Sequence, residues 1–434
     1  MEEPPSEEPP LKTRRGRALA VISGLRVDPA PLRESRDFRL LWFSTIVSEF
    51  GTHITFVAVT FQVYKLTRSA AMVGLIGLVK FVPLVASSIL GGPLADRLDR
   101  RRLLLVTQMV YAVSSTILVI AALMERPPLL LIFGAVALTA AVQGVDSPVR
   151  SSMTPNLVRR EQLPGALALK QVAWNLTAVV GPAVGGLVIA RFGLPVAYGL
   201  DVLSYVAAMG FTLMLRPMAP DRSGEEEKKK GLAAITEGFR FLKGRRVLQS
   251  TFGLDLFAMV FGMPRALFPI LAEDQFGNGS AETVGLLFSA MAFGSLAGAL
   301  TAGWVNAVKR QGRAVVLSVV VWGAAVTGFA FAGSLPVGMI LLAIGGAADL
   351  VSAIFRSSIL QANTPDHLRG RLSAIHILVV AGGPRLGDLE SGLVAEALSP
   401  FASVVLGGAI TIAGAGLIAA RVPEFWKQRD SAAG

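Results

Sequence analysis

Twelve runs of mostly apolar residues follow one another along this 434-residue chain, at 39–64, 72–95, 103–124, 128–148, 166–190, 194–215, 247–272, 281–306, 313–333, 336–356, 371–394 and 400–421. Each is close to the length of about 20 residues that lets a helix cross a bilayer. Backbone inside hydrocarbon must satisfy its own hydrogen bonds, so the runs predict an all-α polytopic membrane protein with twelve transmembrane helices. Breaker residues punctuate them, as at Arg126-Pro127-Pro128, Phe192-Gly193-Leu194-Pro195 and Gly333-Ser334-Leu335-Pro336. Only 16% of the residues are charged and 53% are hydrophobic, whereas soluble domains carry roughly 25% charged residues.

The net charge of +11 invites comparison with nucleic-acid binders. The basic residues, however, sit in the connections between apolar runs rather than on one face, and this points to membrane topology with no nucleic-acid partner. Connections after even-numbered runs hold 22 Lys and Arg; those after odd-numbered runs hold only Lys65, Arg68, Arg126 and Arg191. By the positive-inside rule both termini are cytoplasmic in the cell membrane. With no cysteine and three scattered histidines, His53, His367 and His376, no metal site or cofactor is expected. There is no Walker loop and no catalytic constellation, so the chain does not read as an enzyme.

Residues 1–37 read as a disordered, then basic, cytoplasmic segment without the h-region of a signal peptide. Residues 38–215 and 247–422 form two six-helix halves, and 423–434 a cytoplasmic tail. Between the halves lies a polar linker, 216–246. Leu232, Ile235, Phe239 and Leu242 in its second part have helical spacing and predict an amphipathic helix on the membrane surface.

The halves echo each other. Arg150-Ser151-Ser152 is matched by Arg356-Ser357-Ser358, and Thr154-Pro155-Asn156 by Thr364-Pro365-Asp366. Gly181-Pro182-Ala183-Val184-Gly185 is matched by Gly383-Pro384-Arg385-Leu386-Gly387. Glu49 and Asp255 are 206 positions apart, the same interval as Arg150 and Arg356. Two repeats of six spans imply a site between the halves near the bilayer midplane.

The connection after the second run, Gly91-Gly92-Pro93-Leu94-Ala95-Asp96-Arg97-Leu98-Asp99-Arg100-Arg101-Arg102, concentrates charge at one membrane surface. Glycines there allow close helix approach. Asp96 can neutralise a helix N-terminus, and Arg100 can pair with a carboxylate on another helix, so the cluster suits a conformational lock. It resembles the loop between the second and third helices of major facilitator superfamily transporters, with Asp99 where that pattern has Gly. The segment Val180–Gly186 is similar to the fifth-span motif of facilitator-superfamily antiporters, carried here by Gly181, Pro182, Gly185 and Gly186. Thr177 and Ala168 stand where further glycines are usual. The superfamily's fourth-span arginine, three residues before Gln143-Gly144, is absent; Ala140 is there instead. The resemblance covers residues from about 36 to 422. Gly92–Arg102, Ser152–Leu169 and Asp255–Pro269 resemble the bacterial exporter branch that includes the enterobactin exporter.

The resemblance implies the major facilitator fold and a secondary active transporter, exporting a drug-like or siderophore-like small molecule in exchange for protons, with lipid as surroundings and a monomer as the working unit. It also implies a cytoplasmic lock of Gly92, Asp96, Arg100 and Asp146, in which Arg100 pairs with Asp146. An importer or uniporter on the same fold, or a non-transporting receptor or scaffold, are the alternatives. Ionisable residues inside spans are costly there and so mark function. Glu49, Asp255 and Glu390 are ranked in that order as proton carriers, because Glu49 lies near mid-depth without a basic residue one helical turn away. Arg385 and Asp388 are three apart and expected to pair on the face of the eleventh span. In the seventh span Gly262-Met263-Pro264-Arg265 is expected to break or kink the helix and Arg265 to snorkel outward, while Asp146, Asp201, Asp349 and Lys80, nearer helix ends, are expected to reach water. Phe50, Phe56, Phe257 and Phe261 are candidates for an apolar substrate cavity.

Overall fold

The computed structural model describes residues 28–218, 237–238, 240–277, 279–365 and 368–428. After a short helix at Ala30–Glu34 come α1 (Arg36–Thr67), α2 (Ala70–Arg97), α3 (Arg100–Leu123), α4 (Leu129–Leu157), α5 (Leu163–Phe192) and α6 (Leu194–Leu213). The second half comprises α7 (Arg246–Val260), α8 (Ala281–Thr301), α9 (Gln311–Ala330), α10 (Leu335–Ala362), α11 (Arg369–Ala397) and α12 (Pro400–Arg421). The seventh crossing is interrupted after α7. Pro264 precedes a 3-10 turn at Arg265–Leu267, and the chain resumes as the helix Phe268–Asp274. The break follows from Gly262-Met263-Pro264, since proline cannot donate to the helical ladder.

Helix starts are set by short polar residues that accept from exposed first-turn amides. Ser35 accepts from Phe38 N, Ser69 from Met72 N, Ser280 from Thr283 N and Ser399 from Ala402 N. Asp99 accepts from Arg102 N at 2.9 Å and starts α3. The departure from glycine at that position therefore has a local purpose: a carboxylate caps the helix that follows.

Eleven of the crossings are long and apolar enough to span a membrane by length and composition. The twelfth, α11, is packed among α2, α7 and α12 as a crossing although it carries Arg385, Asp388 and Glu390. Many large apolar side chains point outward, including Leu123, Leu130, Leu203 and Phe331. In water such coverage would be an association liability; facing lipid tails it needs no partner.

Packing repeats between the halves. In the first, α2 lies on α4, α3 on α6 and α1 on α5; in the second, α8 lies on α10, α9 on α12 and α7 on α11. Across the seam α2 meets α11 and α5 meets α8, which are again equivalent contacts. The repeat extends to single residues. Gly181 and Gly185 of α5 face His53 and the Ile54 backbone of α1, as Gly383 and Gly387 of α11 face Met259 and Val260 of α7.

At the seam the helices touch backbone to backbone. A Cβ on Gly186 would strike the Ala281 carbonyl, and one on Gly285 the Pro182 carbonyl. Gly74 likewise abuts the Asp388 carbonyl, and Gly392 that of Ala70. These contacts lie at the end of the bundle bearing the α1–α2 and α5–α6 connections. There too Arg68 donates to both oxygens of Glu273, at 2.7 and 2.6 Å, and Ser69 Oγ to Glu396 at 3.0 Å. Gly186→Val should therefore shift the protein away from this closed arrangement. Labels on either side of the α5–α8 contact should separate in distance measurements while each half keeps its fold; unchanged distances would show that the contact tolerates the side chain.

Candidate functional site

Two clusters of one arginine and two carboxylates occupy corresponding places in the two halves. In the first, Arg150 of α4 donates through Nε to Asp146 Oδ2 at 2.6 Å and through Nη1 to Thr45 Oγ1 at 3.0 Å. Asp146 Oδ1 accepts from Thr107 at 2.8 Å. Glu49 of α1 has Arg150 and Asp146 as its charged neighbours. Its carboxylate takes part in none of the side-chain hydrogen bonds formed among the described residues.

In the second cluster Arg356 of α10 lies 2.8 Å from Asp255 Oδ1 of α7 and 3.8 Å from Asp349 Oδ1. Its Nη1 donates to Ser352 Oγ at 2.8 Å. Ser352 stands 206 residues after Asp146, and Thr251 the same interval after Thr45, so the arginines sit in homologous frames. The second frame is the more enclosed: Arg356 is 2% and Asp255 1% exposed. In the sequence Arg150 and Arg356 stand out only as markers of the repeat. Their role was nevertheless signalled by the interval they share with Glu49 and Asp255.

A third group of charges bridges the seam. Arg265, beyond the break in the seventh crossing, donates to Asp388 of α11 at 2.9 and 3.3 Å and to the Pro384 carbonyl at 3.3 Å. The expected Arg385–Asp388 pair is not formed. Asp388 is bound instead by Arg265, which approaches from the neighbouring crossing with two nitrogens. Nor does Arg265 snorkel; its side chain is turned inward to that carboxylate. Arg385 donates to the Ala381 carbonyl on its own helix and, across the seam, to Gln143 Oε1 at 3.3 Å. Lys80 of α2 rests its ammonium over the Phe56 ring, 4.5 Å from the centroid.

Asp146 bonds Arg150 and Thr107 rather than Arg100, whose Nη1 donates to the Ser152 carbonyl at 3.4 Å. The expected Arg100–Asp146 pair is thus replaced by an arginine one turn along the same helix as Asp146. The surroundings of Gly92 and the side chain of Asp96 lie outside what the structure describes. Asp201 does not reach water: it is buried and accepts from Thr55 at 2.7 Å and Ser115 at 2.6 Å, tying α6 to α1 and α3. Glu390 is half-buried on α11 and has no charged neighbour among the described residues. Leu232, Ile235 and Phe239 of the expected surface helix lie outside the described residues; Leu242 is buried against Leu248, Leu360, Leu372 and Ile375.

Among the aromatics, Phe56 meets Phe288 of α8 edge to face across the seam, at 5.0 Å. Phe50 is partly buried against the central core. Phe257 is directed elsewhere: its ring lies over Gly414 of α12, with Phe261 5.9 Å away. That pair packs α7 onto α12, which removes Phe257 from the seam where the cavity was expected.

Twelve crossings in two repeated halves, with buried charges at equivalent positions and a polar seam between them, define a secondary transporter of the major facilitator fold. A family model for transmembrane secretion effectors matches residues 28–433, and the chain belongs to that family. Relatives include the enterobactin exporter EntS of Escherichia coli O1:K1, 27% identical over 390 residues, covering 90% of this chain and 91% of the relative. The corresponding exporter of Shigella boydii serotype 18 is 28% identical with the same coverage. Among solved structures, a POT family transporter in complex with 5-aminolevulinic acid superposes with a TM-score of 0.71 at 13% identity, over 90% of this chain and 97% of the other. The nucleoside transporter NupG gives 0.68 at 15% identity, over 91% and 100%. At such identities these two share the fold with this chain.

Proposed function

We propose that the protein exports a siderophore-like or drug-like small molecule from the cytoplasm by alternating access, coupled to protons entering through Glu49 and Asp255. The observation that carries this reading is the pair of equivalent clusters, each with one more carboxylate than arginine. A carboxylate in excess of its cation can take up a proton and leave its surroundings neutral, whereas one matched by an arginine is held ionised. Glu49, unbonded, ranks first; Asp255 shares Arg356 with Asp349 and ranks second; Glu390 ranks third. The kinship with enterobactin exporters supports a siderophore-like substrate.

With both termini cytoplasmic, the end sealed by Arg68–Glu273 and by Gly186 against Ala281 is the external one. The described state then faces the cytoplasm, and the lock of Gly92, Asp96, Arg100 and Asp146 belongs to the opposite state. Arg100 leaves Ser152 to pair with Asp146 only when the cytoplasmic ends close. The working unit is a monomer, since both substrate-facing halves come from one chain.

Inside-out vesicles test direction and coupling together. An imposed proton gradient should drive accumulation of the exported compound, and a susceptibility panel of drugs and metal chelators on a deletion strain would supply that compound. In the same vesicles a tag at Gly224, in the linker outside the described residues, should be exposed to the bath. Substrate leaving the vesicles under the gradient would make the protein an importer. Absence of any gradient-driven flux would leave the receptor or scaffold reading.

A further inference from the structure

We infer that the transported molecule carries an acidic oxygen group, such as a carboxylate, which is held between Lys80 of the first half and Arg385 of the second. The inference rests on the export reading and narrows its substrate class.

Three cations gather where α2, α11 and the broken seventh crossing meet. The charged neighbours of Lys80 are Arg385, Asp388 and Arg265. One carboxylate serves this group, and Arg265 already occupies it with two hydrogen bonds. Lys80 forms no ion pair among the described residues; its contact is the face of Phe56. Arg385 forms none either: it spends its nitrogens on a backbone carbonyl and on Gln143, and its buried Nε has no partner. Nearby, His53 lies within the field of Lys80 and its buried Nε2 is also unbonded. Among the described residues no carboxylate is to spare here. Glu49 belongs to the Arg150 cluster, and Glu390 has no charged neighbour.

Two uncompensated cations inside a membrane protein are costly unless something anionic meets them. A guanidinium presents a planar fork suited to two oxygens, and an ammonium beside it a point charge. The ring of Phe56, under the Lys80 ammonium, gives that anion an apolar wall. Lys80 and Arg385 also belong to opposite halves. An anion bridging them gains both contacts when the seam is closed around it and loses one when the halves rock apart. Its affinity therefore differs between the two access states, which is the condition for a substrate to be released after the switch.

The test uses the full-length protein in nanodiscs with three acids, dansylglycine, salicylate and N-benzoylserine, each beside its methyl ester. At least one acid should raise the melting temperature and bind at least about tenfold more tightly than its ester, the size of one lost charge-assisted contact. Lys80→Gln and Arg385→Gln should each remove that preference without lowering the melting temperature of the unliganded protein, and Lys80→Arg should restore it. Should either glutamine variant fail to fold, the other and Lys80→Arg carry the comparison. Esters bound as tightly as acids, folded glutamine variants that keep the preference, or no binding of any of the three acids would each overturn the inference. Transport is scored separately in inside-out vesicles. An acid that binds but is never accumulated defeats the export reading and leaves the anion site standing; accumulation of the esters alone does the reverse.

Discussion

Glu49→Gln should reduce gradient-driven transport to the level seen without a gradient while leaving the protein folded. The side chain keeps its length and shape, so packing on α1 changes little. What is lost is the ability to take up and release a proton. Its setting explains why this residue matters more than its neighbours. Both oxygens of Asp146 are taken, one by Arg150 at 2.6 Å and the other by Thr107 at 2.8 Å. Glu49 has the same arginine in its field but makes no hydrogen bond to it. Its proton affinity is thus free to change when the helices rearrange. Substrate affinity, measured by the same thermal stabilisation, should stay within roughly threefold, the range of substitutions that preserve shape. Counterflow exchange, which needs no net proton movement, should persist. Wild-type transport rate and pH dependence in Glu49→Gln would remove the residue from the coupling path and move attention to Asp255.

The largest effect on stability is expected at Arg356. Replacing it by Met leaves Asp255, 1% exposed, without its cation and Asp349 beside it. Removing one partner of a buried ion pair costs about 3–5 kcal/mol, because the other charge stays buried alone. Arg356→Met should therefore melt well below the wild type in detergent and accumulate poorly in the membrane. Adding Asp255→Asn should recover much of the loss, since the stranded charge is gone. Equal destabilisation in the single and double variants would show that packing, rather than charge, accounts for it. Arg150→Met should be milder, because Thr107 still serves Asp146 and Glu49 can accept a proton.

Several features of this architecture are legible in the sequence. Twelve spans follow from apolar runs, and the break in the seventh from Gly262-Met263-Pro264. The fourth run was expected to stop at 148, yet α4 continues through Pro148 and Pro155 to Leu157. Membrane helices tolerate proline because neighbouring helices and side chains supply the freed carbonyls. The Gly-Pro motif of α5 was legible as a small-residue surface, but not which helices it meets: Gly181 and Gly185 face α1, and Gly186 faces α8.

Charge pairing was the least legible. Asp388 has Arg385 three residues before it, and sequence spacing favours that pair. The carboxylate is taken instead by Arg265, 123 positions away, because the broken seventh crossing brings its guanidinium in from the side. Asp255 and Arg356 were known to be equivalent to Glu49 and Arg150 without being known to touch.

The sequence alone determined how many times the chain crosses the membrane, which loops are basic and that the two halves repeat. Each of these rests on hydropathy, charge or spacing along the chain, which act locally. The tertiary structure alone decided which arginine neutralises which carboxylate and which cations stay unpaired at the seam. An ion pair depends on separation in space, and helices distant in sequence supply most of the partners.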